Sequence, residues 1–187
     1  MSWGAVSAIG SIATAVIILI TVVIGRRQLD QLRRATQLEG AMGIFAELDS
    51  DVIDEARRFA IHELPSRLQN AEFRRECELI GWADPKVHKE LILLRFFERL
   101  GAYVEEGLID GEIINKTAVG RVMGAWFLLR DVVTIHRRIL GDFTWNRFER
   151  LYESAARYLR AQGSDPDRLM KIVVAAADIT SDNYPPA

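Results

Sequence analysis

The chain has 187 residues, 49% of them apolar and 27% charged, with a formal net charge of −2. That is the length of one domain with enough apolar surface to bury a core. It excludes a wholly disordered chain, a collagen-like or low-complexity one (13 Gly, 5 Pro), and a strongly basic nucleic-acid binder. A single cysteine, Cys77, excludes an intramolecular disulfide framework and any multi-cysteine metal site.

The charge is unevenly spread. From Gly4 to Gly25 run 22 residues without a charge, and all 50 charged residues lie elsewhere. As a helix this run extends about 33 Å, close to the thickness of a bilayer's hydrocarbon core. Trp3 stands at one end, where an indole favours the headgroup level, and Arg26, Arg27, Arg33 and Arg34 follow the other. The positive flank is C-terminal, so the positive-inside bias predicts an outer N-terminus and a cytoplasmic remainder. A cleaved signal peptide fits poorly. Met1-Ser2-Trp3 has no basic side chain, the apolar run is too long, and the small-residue motif Ala13-Thr14-Ala15 lies in its middle. Gly4, Ala8, Ser11 and Ala15 form a stripe of small residues, a candidate face for association of two anchors into a homo-oligomer.

No Gly or Pro interrupts Arg26 to Glu39, so the helix is predicted to run on as a stalk over 26–48. Leu29, Leu32 and Leu38 do not keep one heptad seam, which argues against a long coiled coil; Met42 to Leu48 is expected to dock on its own domain. Asp49-Ser50-Asp51 caps a predicted helix from Val52 to Glu63, ending before Pro65. The carboxylates of Asp49, Asp51, Asp54 and Glu55 lack the spacing of a calcium loop and read as capping groups. A short helix is predicted over Ala71 to Trp82. Asp84-Pro85 has the form of a helix start, and the helix runs to Gly107. Val87, Leu91, Leu94, Gly101, Val104 and Leu108 recur along it at helical spacing, widened by Leu93, Phe96, Phe97 and Leu100.

After a turn at Gly107 to Gly111, one helix or a pair covers Glu112 to Leu140. Val119, Val122, Trp126, Leu129, Val133, His136 and Leu140 share a face, and Gly120 and Gly124 are spaced for close helix packing. Thr144 is the predicted cap of a helix from Trp145 to Ala161, and Asp165-Pro166 opens a last one. No stretch alternates apolar and polar for long. The predicted fold is all-α, with one N-terminal transmembrane helix continuing into a cytoplasmic bundle of about five or six helices. The expected divisions are 1–3 tail, 4–25 transmembrane helix, 26–48 stalk, 49–180 bundle and 181–187 frayed tail.

The run Leu94-Arg95-Phe96-Phe97-Glu98-Arg99-Leu100-Gly101, then Val104 to Asp110, Trp126, and Trp145-Asn146-Arg147-Phe148-Glu149-Arg150-Leu151 stand together with an N-terminal anchor and a basic flank. Over residues 3–160 this resembles a bacterial domain-of-unknown-function family, the one numbered forty-seven-sixty. The resemblance implies a short membrane-anchored helical protein of the bacterial inner membrane. It implies no activity and assigns no residue a role.

Chemistry-bearing groups are sparse. None of His62, His88 and His136 sits in a His-Glu-x-x-His arrangement. His136, on an apolar face, reads as a core or boundary histidine, with Arg137 and Arg138 expected to depress its protonation. There is no nucleophile elbow and no phosphate loop with a lysine. Cys77 lies between Glu76 and Glu78, and adjacent carboxylates disfavour a thiolate. Glu98 lies amid Phe96, Phe97 and Leu100; if partly buried it needs a partner, and Arg95, Arg99 or Arg130 could supply an ion pair. Arginine outnumbers lysine 20 to 4, which suits forked carboxylate pairs between helices or at a protein interface. Residues 45–187 carry 20 basic and 24 acidic groups, so they are not expected to lie flat on an anionic leaflet.

These features predict a single-pass protein without a cofactor and without enzymatic activity. Its partners would be the lipid bilayer and a protein, either an unknown partner or itself, bound at the cytoplasmic membrane face; an exposed face containing Trp82, Trp126 or Trp145 would mark the interface, although core packing is the first expectation for each. Tethering suits such a module, because confinement raises the effective concentration near its partners. Two other readings stand beside it: an effector whose oligomerising anchors perturb the bilayer, and an enzyme acting on a membrane-proximal substrate.

Overall fold

No proline lies between Trp3 and Leu48, and in the computed structural model helix α1 spans all 46 of those residues. The structure describes residues 3–79, 84, 86–168, 170 and 171; side chains are described from Ile18 onward, Arg33 and Arg34 excepted. After α1 (Trp3–Leu48) come α2 (Asp51–His62), α3 (Leu64–Arg67), α4 (Ala71–Cys77), α5 (Glu90–Glu105), α6 (Gly111–Thr117), α7 (Val119–Leu140) and α8 (Asn146–Ala161). Residues 166–168 and 170–171 are also helical, and no strand occurs among the described residues.

The chain divides into two units, 1–40 and 41–187. In the first, Ile18, Leu19, Ile20, Val22, Val23 and Ile24 are 47–68% exposed, so the described residues cover no side of this stretch of α1. Among the described residues no helix is long and apolar enough to cross a membrane. The expected span, 4–25, lies within the helical backbone of α1, but most of its side chains are not among those described. The side chains of 4–17, including the stripe Gly4, Ala8, Ser11 and Ala15, are not among those described, and nor are those of Trp3, Arg33 and Arg34. The remainder, Ile18 to Gly25, is followed at once by Arg26 and Arg27. Trp82 and the expected tail 181–187 also lie outside the described residues.

In the second unit the expected docking of the end of α1 takes place on one face. Ala41, Ile44 and Leu48 are buried, while Met42 is 65% exposed. Ser50 caps α2, its hydroxyl accepting from the Ile53 N–H at 3.4 Å. Ile53, Ala56, Phe59 and Ala60 form its buried stripe. Pro65 does more than end α2: it occupies the first turn of α3, where a missing N–H costs nothing. Asn70 caps α4, accepting from Glu72 and Phe73.

The long central helix begins at Glu90, later than Asp84-Pro85 predicts. Asp84 does cap, but it closes a single turn: its carboxylate accepts from Lys86 at 2.9 Å and its carbonyl from Val87 and His88. Val87 therefore points outward and His88 inward. At the other end Gly107 takes φ +68°, a left-handed stop that suits glycine. The reversal exposes Leu108 and buries Ile109. Asp110 then caps α6, and the pair of helices α6 and α7 replaces a single one.

α5 packs against α8 and α2, and α7 packs against α8. Aromatic rings join these helices. Phe97 of α5 stacks on Phe148 of α8 at 5.0 Å, Trp126 of α7 meets Phe148 edge-on at 5.1 Å, and Trp126 stacks on Tyr152 at 5.2 Å. Trp126 and Trp145 are thus committed largely to packing within the bundle, each only partly exposed.

Candidate functional site

Helix α8 starts abnormally. Trp145, before its first residue, has φ +61°, a left-handed conformation that a bulky side chain adopts only when its surroundings hold it there. Its indole N–H donates to His136 Nδ1 at 2.8 Å. Thr144 gives no cap; its buried hydroxyl has no hydrogen-bond partner among the described residues. Glu98 supplies it from α5, its carboxylate accepting from the backbone N–H groups of Phe148 at 3.0 Å and Arg147 at 3.4 Å. Placed there, the carboxylate satisfies orphan donors and meets the positive end of the helix dipole.

This corrects the expected ion pair. Arg99 instead reaches Glu47, and Arg130 lies over the Phe127 ring at 4.5 Å with Asp131 at 3.9 Å. Arg95 is exposed. A carboxylate flanked in sequence by arginines is claimed by a helix end 49 residues away, which local spacing cannot reveal. Glu98→Ala is expected to destabilise by about 1–2 kcal/mol, the usual effect of losing a cap. Thr144→Ala should change stability by less than about 0.5 kcal/mol. Thermal melts of the two variants check this, and a larger loss at Thr144 would refute the assignment.

A buried polar centre lies at the junction of α4 and α5. Cys77 ends α4, His88 sits in the turn closed by Asp84, and Glu90 opens α5; all three side chains are at most 2% exposed. His88 Nδ1 lies 2.7 Å from Glu90 Oε1, and Nε2 lies 3.1 Å from the half-exposed carboxylate of Glu76. The Cys77 thiol lies 3.8 Å from Glu90 Oε1 and 3.9 Å from His88 Nδ1. Phe73, one turn before Cys77, stacks on the imidazole at 4.6 Å and fixes its plane. The second oxygen of Glu90 is buried with no hydrogen-bond partner among the described residues.

Burial pushes the Cys77 thiol up to about 12, and the next cause is Glu90. Glu76, which the sequence suggests as the cause, contributes less, and Glu78 is exposed. Burial also raises Glu90, partly offset by its contact with His88. His136 is fully buried and lowered to about 4, first by burial and then by the charge of His88, not by Arg137 or Arg138. Arg137 turns away to the Thr144 carbonyl and to Glu149. Because an indole only donates, Trp145 leaves the proton of neutral His136 on Nε2. That atom has no partner at hydrogen-bonding geometry among the described residues, although the Cys77 backbone favours the protonated form.

Nothing in local spacing joins Cys77 to His88 or marks Glu90 as their partner. A signal was present: Glu90 shares the helical stripe of Leu94, Phe97 and Gly101, a charged residue on a face that must be buried.

A second feature is an apolar groove of about 400 Å³ between α2, α5 and α7, walled by Leu48, Ile53, Ile61, Leu93, Phe97 and Leu128. Gly120 and Gly124 also line it, and nothing lies within 4 Å of where their Cβ atoms would stand. Arg57 and Arg121 border the groove, paired with Asp54 and Asp49. The expected close packing at these glycines is thus not made by another helix of this chain among the described residues.

No family model, curated protein or solved structure matches the chain.

Proposed function

We propose that this chain is a binding module held at a bilayer by α1, with residues 41–187 engaging a protein partner or a second copy on the cytoplasmic side. The observation that carries this reading is the uncharged run Gly4 to Gly25 inside an unbroken helical backbone. In lipid every backbone polar group must be satisfied within the segment, and a continuous helix does that. The bare apolar side chains of Ile18 to Ile24 and the arginines that follow support the same placement. The open groove floored by Gly120 and Gly124 supports the binding half, since a glycine floor lets a partner helix approach closely.

The test is extraction of membranes from cells expressing the full chain. Alkaline carbonate is expected to leave the wild type in the pellet and to release a Val16→Arg, Leu19→Arg double variant, because charge at the bilayer centre is strongly disfavoured. Release of the wild type would overturn the anchor. For the binding half, cross-linking in intact cells should return one recurring protein or a self-dimer, weakened by Gly124→Leu. Cross-links of undiminished yield from that variant would remove the groove from the reading.

A further inference from the structure

We infer that Cys77, His88 and Glu90 form a buried structural site for a borderline transition-metal dication, with zinc the best fit. Three donors of different chemistry — thiol sulfur, imidazole nitrogen and carboxylate oxygen — converge with all their ligand atoms within 4.8 Å of one another. A tetrahedral zinc ion with ligand bonds of about 2.0–2.3 Å separates its ligand atoms by about 3.3–3.8 Å. The two sulfur distances, 3.8 and 3.9 Å, lie at and just beyond the upper end of that spacing. The nitrogen–oxygen distance, 2.7 Å, is that of a hydrogen bond and needs to open by only about half an ångström to admit the ion.

Three further features point to a cation. The first is Glu90 Oε2, which has no hydrogen-bond partner among the described residues, on a side chain with no exposure. A buried carboxylate oxygen left without a donor is costly, and coordination through both oxygens would remove that cost and supply a fourth donor atom. The second is charge. One thiolate and one carboxylate cancel a dication, so the occupied centre is neutral, as a dry interior requires. The third is the surround. Glu76 at 3.1 Å from His88 Nε2 holds that nitrogen's proton and turns Nδ1 toward Cys77 and Glu90, the carboxylate–histidine support usual behind metal ligands. Sulfur and nitrogen donors select against magnesium and calcium, which take oxygen.

With donors at most 2% exposed, the centre offers no open position to a substrate. The ion's role is to tie the end of α4 to the start of α5, next to the turn that Asp84 closes.

The experiment uses the full chain in detergent, stripped with chelator and titrated with cobalt(II) alone, then with zinc. One cobalt per chain should bind with a thiolate-to-cobalt charge-transfer absorption and tetrahedral ligand-field bands, and zinc should displace it. Cys77→Ser should lose the charge-transfer band. Glu76→Gln, which keeps all three donors, should weaken zinc binding about 10–100-fold. If Cys77→Ser fails to fold by circular dichroism, Glu90→Gln replaces it, with loss of stoichiometric binding expected. A folded wild type that shows no thiolate–cobalt band overturns the site. So does a folded variant of either kind that binds metal as the wild type does.

Discussion

Phe148→Ala is expected to destabilise the bundle by about 4 kcal/mol, within the range for deleting a buried phenyl ring. The residue has no exposure and its ring touches two helices besides its own, stacking on Phe97 and meeting Trp126 edge-on. Truncation removes both ring contacts, each contributing about 0.5–1.5 kcal/mol beyond area burial, and leaves a cavity where α5, α7 and α8 meet. For a chain of this size that corresponds to a fall of about 8–16 °C in Tm. Phe143→Ala is the control. The same residue type five positions earlier is 73% exposed, and its loss should stay within about 0.5 kcal/mol. Thermal melts of both variants in detergent decide it; equal losses would mean that the aromatic chain is not what joins the helices.

How much of this was legible in the sequence follows from the range of each signal. The buried face of α5 is periodic and local, so spacing alone finds it, although Val87 and Leu108 at its two ends are exposed. Asp110 and Ser50 are caps that act within three residues, and they too are readable. Thr144 follows the same rule and fails, because the next residue leaves the helical region and a carboxylate from another helix takes over the donors. Asp84-Pro85 fails for a related reason: the cap is real, but His88 must turn inward to reach Glu90 and Glu76, and that interrupts the helix. The polar centre required three local contexts to meet, the end of one helix, a turn and the start of another. Only the misplaced charge of Glu90 on an apolar stripe betrayed it in one dimension.

Glycine substitutions divide the molecule most sharply, because one chemical change should have opposite signs at different helix positions. Replacing a helical glycine by alanine gains about 1 kcal/mol in backbone propensity when the new methyl meets nothing. At Gly120 and Gly124 it meets nothing within 4 Å, so Gly124→Ala should raise stability by about that amount. At Gly101 the added Cβ would stand 2.5 Å from the Arg147 carbonyl oxygen and 2.7 Å from its carbon. Both are backbone atoms, and the same stretch of α8 holds the N–H groups that Glu98 caps one turn earlier on α5. Relief requires α5 and α8 to part, which costs about 3 kcal/mol as overpacking and weakens the cap as well. Against the propensity gain the net loss for Gly101→Ala is about 2 kcal/mol, or about 4–8 °C in Tm. Combining Gly101→Ala with Glu98→Ala should cost less than the sum of the two, since displacement of α8 already forfeits part of the cap. Strict additivity would mean that the close approach at Gly101 and the cap at Glu98 are separate devices.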